Sequence, residues 1–239
     1  MPQKPDYGID APAVVRNLLL IGVILILLGI FFPRIHIGQV IILWDRTAFW
    51  AGGFCLAEGI LMIVYAKWGK FRHRDRMLNM ISWQGDENVL DVGTGRGLLL
   101  IGAARRLTTG KGVGIDVWST KDLSSNSLDR TQTNIAVEGV KEKIELRSED
   151  ARKLTFPDAS FDVVLSNLCI HNIPGDSGRA EACREIARVL KPGGTALISD
   201  FIKTGFYQKA FTEAGLKVSR TGFNLFSFPP LRIVKAEKK

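Results

Sequence analysis

The chain has 239 residues, 46% of them hydrophobic and 23% charged, with a formal net charge of +8 and a mean hydropathy of +0.10. That apolar content excludes global disorder. Three cysteines (Cys55, Cys169, Cys183), an odd number without a C-x-x-C pair, exclude a disulfide scaffold and read as reduced thiols. The charge is also unevenly placed. Residues 1–66 hold four basic and four acidic side chains, so the whole excess belongs to 67–239. Residues 67–76 (KWGKFRHRDR) contribute +4 and 232–239 contribute +3, which leaves the rest of that stretch at +1. A nucleic-acid surface is a broad basic face rather than two short patches, so no nucleic-acid partner is expected.

After a short tail (1–10), residues 17–33 (NLLLIGVILILLGIFFP) carry no charge. With 11–15 in front they make a helix of about 20 residues, the length that crosses a bilayer core. Residues 33–36 (PRIH) offer no small-x-small cleavage site and a second apolar span follows, which argues against a cleaved signal peptide. That second span, 47–66, is broken only by Glu58. The segment 11–66 therefore reads as a membrane hairpin with spans at about 12–33 and 47–66; a buried helical hairpin of a soluble protein is the other arrangement. Between the spans, 35–44 (IHIGQVIILW) could be an extended hairpin, an interfacial segment or an extension of either helix.

Small residues invite close helix approach: Ala51, Cys55 and Gly59 are four apart, as are Gly53 and Ala57, while Gly22 and Gly29 lie one heptad apart. Glu58 is expensive at that depth, and is expected to face protein or a polar cavity, to be protonated, or to pair with Arg46 or Arg16. Lys67, Lys70, Arg72, Arg74 and Arg76 follow the second span, so the positive-inside rule places both termini and everything after residue 66 in the cytoplasm. Residues 67–82 then form a basic juxtamembrane helix suited to anionic lipid headgroups, with His73 solvated or facing those headgroups.

From residue 83 the pattern alternates. Short apolar runs at 88–92, 112–116, 144–148, 161–167, 195–200, 216–220 and 231–235 read as strands, with helices at 97–108, 127–138, 178–190 and 204–214. Alternation of this kind predicts an α/β domain (83–239) with a doubly wound, mostly parallel, Rossmann-like sheet. Gly93, Thr94, Gly95 and Gly97 follow the first of these strands and open a helix, where glycines allow a tight turn and close approach of a ligand. The position a dinucleotide G-x-G-x-x-G needs as glycine is Leu98. Asp91, two residues before the turn, would repel a pyrophosphate and suits a cationic ligand.

The run VLDVGTGRG resembles the first motif of the class I S-adenosylmethionine-dependent methyltransferases, and the likeness extends through essentially all of 70–239. It implies S-adenosylmethionine as methyl donor, without a metal. Asp116, ending GVGID, falls where the family's acid holds the ribose hydroxyls, followed by Val117 and by Trp118, which could cover the adenine. Asp150 and Ala151 in SEDARKLTFPDASFDVVLSN fall at the adenine, and ARVLKPGG (187–194) matches the turn into the fifth strand. The branch that includes ubiquinone and menaquinone C-methyltransferases is the most similar. The run VWSTKDLSSNSLDRT after Asp116 is several residues longer than that branch's turn, and no large insertion follows the fifth strand, so only the membrane hairpin and the basic helix are spare to close the acceptor pocket.

Methyl transfer is an in-line displacement and needs a base only when the acceptor loses a proton. SNLCIHNI supplies the candidates: Asn167 toward the donor's methionine end or the acceptor, and His171 as general base, with Asp200 and Tyr207 as weaker ones. The expectation is a membrane-anchored methyltransferase acting on a lipidic or small hydrophobic acceptor. Methylation of a membrane-protein or peptide partner, and donor binding without turnover, are the other readings.

Overall fold

The computed structural model describes residues 4–239. Helix α1 (Pro12–Phe31) and helix α2 (Asp45–Val64) form an antiparallel pair, joined by a two-stranded ribbon of β1 (Arg34–Ile37) and β2 (Val40–Leu43). Of the arrangements open for 35–44, the extended hairpin is the one adopted. Its tight turn holds Gly38 at φ +60°, a left-handed conformation for which glycine is suited. Ile35, Ile37, Val40, Ile41 and Leu43 are all exposed on the ribbon.

The helices meet where glycine removes the side chain. A Cβ on Gly22 would lie 2.7 Å from Leu56 Cγ and 2.9 Å from the Gly52 carbonyl, and one on Gly59 would lie 2.8 Å from Leu19 Cδ2. Gly22, Gly29 and Gly59 are thus in the seam, as their spacing suggests, but Ala51, Gly53 and Ala57 face outward. The α2 seam runs instead through Ala48, Gly52 and Gly59, because only one stripe of a helix can face its partner. Gly52→Leu is therefore expected to destabilise the hairpin by about 1–3 kcal/mol through overpacking. A lower midpoint of detergent-induced unfolding would report it, while Gly53→Leu, whose Cβ meets open space, leaves that midpoint unchanged.

Helix α2 continues without a break through a π-helical turn (Tyr65–Gly69) into α3 (Lys70–Leu78). Gly69 makes room for the Tyr65 ring, since a Cβ there would lie 2.5 Å from Tyr65 Cδ2. Helix α3 is only partly a surface helix. Lys67, Arg72 and Arg76 are exposed, whereas Lys70, His73, Met77 and Leu78 are buried. The expectation of a solvated or headgroup-facing His73 is corrected here, because positions 70, 73 and 77 share the helix face that packs on the sheet.

The α/β domain is built on seven strands in the order β5-β4-β3-β6-β7-β9-β8. These are β3 (Asn88–Val92), β4 (Lys111–Asp116), β5 (Ile144–Ser148), β6 (Phe161–Asn167), β7 (Leu190–Asp200), β8 (Lys217–Arg220) and β9 (Arg232–Glu237). β3 to β7 are parallel, and β9 runs antiparallel to both β7 and β8. Helices α4 (Leu98–Ala104), α5 (Leu128–Val137), α6 (Gly175–Val189) and α7 (Thr204–Glu213) complete the fold. Each face of the sheet is covered, one by a core that includes Ile186, Tyr207 and Phe211, the other by one that includes Met77, Leu78, Leu99 and Ala103. The doubly wound, mostly parallel sheet expected from the alternation is the one formed.

The tail before α1 is packed as a strap on this domain. Asp6 pairs with Arg96 at 2.6 Å, the Tyr7 hydroxyl donates to Glu138 at 2.7 Å, and Lys70 Nζ donates to the carbonyls of Tyr7 and Gly8. The Ala11 and Ser124 amides donate to the Asp122 and Ile9 carbonyls, which ties the strap to the loop after β4. The first apolar helix therefore starts at the end of the sheet where the strands' C-termini lie.

Candidate active site

In parallel α/β sheets ligands bind beyond the carboxyl ends of the strands, at the point where strand order reverses. Here that point lies between β3 and β6, and the candidate residues converge on it. After β3 the chain turns through Gly93, Gly95 and Gly97 at φ +72°, +52° and +85°. A Cβ on Gly93 would overlap the Cys169 sulfur, so the turn and the loop after β6 touch backbone to side chain. Asp91, 1% exposed, accepts hydrogen bonds from the Thr94 hydroxyl (2.9 Å) and the Leu100 amide (3.1 Å), which pin the turn to α4. Burial raises its carboxyl to about 7.

At the end of β4, Asp116 accepts from the Gly95 amide (2.7 Å), the Trp118 amide (2.6 Å) and the Asn126 side chain (3.3 Å). Burial pushes its carboxyl above the usual range while these bonds pull it back. Val117 is exposed, and Trp118, at φ +59°, donates its indole N–H to Ser148 at 2.8 Å. Asp150 chelates Arg152, whose guanidinium lowers its carboxyl, and Ala151 is buried beside it.

The loop after β6 supplies the remaining groups. Asn167 Oδ1 is buried and accepts no hydrogen bond among the described residues, which leaves it open to a donor from a bound ligand. His171 Nδ1 lies 3.0 Å from Asp200 Oδ2, and the ring packs edge-on against Phe201. Asp200 also accepts from the buried Tyr207 hydroxyl (3.0 Å) and the Phe201 amide (2.9 Å). The general-base candidate of the sequence and the two weaker candidates, Asp200 and Tyr207, thus form one network. With Nδ1–H donated to the carboxylate, Nε2 is the ring nitrogen left to accept a proton.

Two cavities meet here. A small one, about 70 Å³, is lined by Asp91, Gly93, Gly95 and Asn167 together with Tyr7, Asp10, Tyr65 and Lys70. A large one, about 930 Å³, runs from Gly93, Asp116, Asn167 and His171 to Val14, Leu18, Glu58 and Met62 on the two apolar helices. Tyr65 and Asp10 line both. Asp10 and Lys70 lie 3.8 Å apart; burial raises the carboxyl and lowers the ammonium, each countered by the other's charge. Nothing in the motifs pointed to these four residues. The signal for Lys70 was its place on one helix face with His73 and Met77.

Residues 89–194 match the family described as "Methyltransferase domain". That stretch of the chain is similar to a methyltransferase domain. A demethylmenaquinone methyltransferase from Symbiobacterium thermophilum is 32% identical over 149 residues, 59% of this chain and 55% of that protein. A ubiquinone/menaquinone biosynthesis C-methyltransferase from Neisseria meningitidis is 34% identical over 126 residues, 53% of this chain and 47% of that one. A 27-O-demethylrifamycin SV methyltransferase from Amycolatopsis mediterranei is 31% identical over 131 residues, covering 55% and 44%. The chain spans about half the length of the curated relatives it matches. Among solved structures, an S-adenosylmethionine-dependent methyltransferase from Aquifex aeolicus superposes with a TM-score of 0.55 at 21% identity, over 68% of this chain and 88% of that one. An O-methyltransferase family protein from Burkholderia thailandensis gives 0.59 at 15%, over 94% and 70%.

The match to a methyltransferase domain implies S-adenosylmethionine, a cation, as donor, and the residues fit such a ligand. The glycine turn leaves no side chain in its path, Asn167 Oδ1 lacks a partner among the described residues, and carboxylates that include Asp91 and Asp116 line the cavities. Asp91 then predicts a pH dependence. With its carboxyl at about 7, it is mostly protonated at pH 6 and mostly ionised at pH 8, and only the ionised form attracts a cation. Titration calorimetry should show donor affinity rising by up to about tenfold between those pH values. Asp91→Asn should flatten that profile.

Proposed function

We propose that the chain is an S-adenosylmethionine-dependent methyltransferase anchored by α1 and α2 at the cytoplasmic face of a membrane, and that it methylates a lipidic or small hydrophobic acceptor. The observation that carries this reading is the large cavity, which joins the methyl-transfer residues to the lipid-compatible surfaces of both apolar helices. Each helix is 20 residues long and exposes large aliphatic side chains such as Leu20, Ile24, Ile60 and Leu61. That combination suits a hydrocarbon surround. Lys67, Arg72 and Arg76, exposed where α2 leaves the span, favour the cytoplasmic orientation and contact with anionic headgroups.

When bound, the donor supplies a methyl group on a sulfonium, already activated for displacement. The chain's own residues would position it: the Gly93–Gly97 turn would receive its methionine portion, Asp116 would accept hydrogen bonds from the ribose hydroxyls, and Asp150 and the Ala151 amide would meet the adenine. Asp10, Tyr65 and Lys70 would bound the methionine end, so the strap and the helical continuation of α2 would be part of the donor pocket. Apolar walls orient the acceptor and keep water out, which converts binding into alignment for an in-line transfer. For an acceptor that loses a proton, His171 Nε2 takes it. Asp200 fixes the tautomer and stabilises the imidazolium, and is itself held by Tyr207.

The test is the full chain in nanodiscs of total membrane lipid, supplied with methyl-labelled donor. The proposal expects label in the organic phase after extraction. Label confined to a protein band would replace the acceptor assignment with a protein substrate, and tight donor binding without any transfer would replace the enzyme with a donor-binding sensor.

A further inference from the structure

The loop between β8 and β9 carries two of the three most exposed large hydrophobic side chains of the described residues, Leu225 at 80% and Phe226 at 88%; the third is Trp50 of α2 at 82%. It is not a loose loop. The Asn224 amide donates to the Leu231 carbonyl (2.6 Å), the Phe226 amide to Asn224 Oδ1 (3.1 Å), and the Leu231 amide to the Ser227 hydroxyl (2.7 Å). Asn224 and Ser227 are buried, so the loop turns its polar side chains inward and its apolar ones outward, the reverse of a soluble loop. Arg232 stacks on Phe223 at 3.9 Å and braces the base.

A second tether runs to the helix that continues the anchor. His73 on α3, pushed down to about 4 by burial and so neutral, accepts from the Asn224 side chain at Nδ1 (3.3 Å) and donates from Nε2 to the Ser199 hydroxyl (2.7 Å). Phe228, Pro229 and Pro230 of the loop line the large cavity, as do Val14 and Leu18 of α1. The exposed tip thus stands at the rim of a cavity that the apolar helices also frame.

We propose that the loop 223–230 is a third membrane contact, in which Leu225 and Phe226 insert among the lipids of the leaflet that α1 enters beside the domain. Rigid apolar tips of this kind gain by burial in the interfacial region, and an exposed patch continuous with a lipid-facing surface is best satisfied by the same lipid. Phe228–Pro230 then form the domain-side lip of the mouth through which a bilayer-borne acceptor reaches His171. This inference rests on the membrane reading above.

The test is an environment-sensitive nitrobenzoxadiazole label placed on single cysteines of the full chain in phosphatidylcholine/phosphatidylglycerol nanodiscs. The background is Cys55→Ala with Cys169→Ala, since Cys169 is only partly buried and lines the large cavity, while Cys183 is protected by burial. Label sites are Phe226→Cys, Trp50→Cys on the exposed face of α2, and Lys141→Cys, exposed before β5 at the opposite end of the sheet. The label at 226 is expected to emit several-fold more strongly than that at 141 and to be quenched by doxyl lipids but not by aqueous iodide. If the label at 50 is lipid-quenched and that at 226 behaves like that at 141, the loop inference is overturned while the anchor stands. If the label at 50 is also water-exposed, the membrane reading itself fails.

Discussion

Replacing Gly93 by alanine is expected to abolish useful donor binding, with affinity by calorimetry falling at least about a hundredfold, near 2.7 kcal/mol. Two effects combine. At φ +72° an L side chain is strained by about 1–2 kcal/mol, and the new methyl group overlaps the Cys169 sulfur, so the turn and the loop after β6 must part. That separation moves the Gly93–Gly95 backbone and Asn167 away from one another, and with them the pocket. Gly139→Ala is the control that isolates the first effect. Gly139 has a similar φ of +68° but meets open space, so it should cost only the strain, seen as a lower melting temperature with unchanged donor affinity. A Gly93→Ala protein that binds donor normally would place the ligand elsewhere.

His171→Ala is expected to lower the methyl-transfer rate by about 10² to 10⁴ for an acceptor that loses a proton, with donor affinity within twofold of the parent chain. Asp200→Asn should give a smaller loss in the same step, because it keeps the shape but removes the charge that fixes the His171 tautomer. Single-turnover measurements on native membranes, with donor saturating, separate this from binding. If His171→Ala transfers at the parent rate, the acceptor is methylated without base assistance and alignment alone carries the chemistry.

Much of the domain was legible because its signals are local. β3 and β6 begin and end where their apolar runs do, and α5 and α7 match their predicted spans to within a residue. The glycine turn was also readable, since Gly93, Gly95 and Gly97 have few reasons to cluster after a strand except a required backbone conformation. What the sequence did not reveal depends on contacts between distant segments. Tyr7, Asp10, Tyr65 and Lys70 join the site only because the strap and α3 fold back on the sheet, a packing of 60 or more residues' separation with no motif to mark it. His73 looked solvated because its sequence neighbours are arginines, yet the helical period sets it on the buried face. The seam glycine Gly52 was missed for a related reason: two stripes of small residues compete on α2, and only the partner helix decides between them. The His171–Asp200–Tyr207 network spans the loop after β6, the end of β7 and α7, so its members could be named separately but not joined.

The cavity that reaches from Asn167 and His171 to the two apolar helices makes acceptor delivery from the bilayer the proposal on which the account turns. Its most direct test compares lipid extracts, by untargeted mass spectrometry, from cells carrying the parent chain and cells carrying His171→Ala at equal abundance. The account predicts at least one lipid species heavier by a single methylene in the parent cells and depleted in the variant. Identical lipid profiles, with donor-derived methyl groups found only in protein, would contradict it.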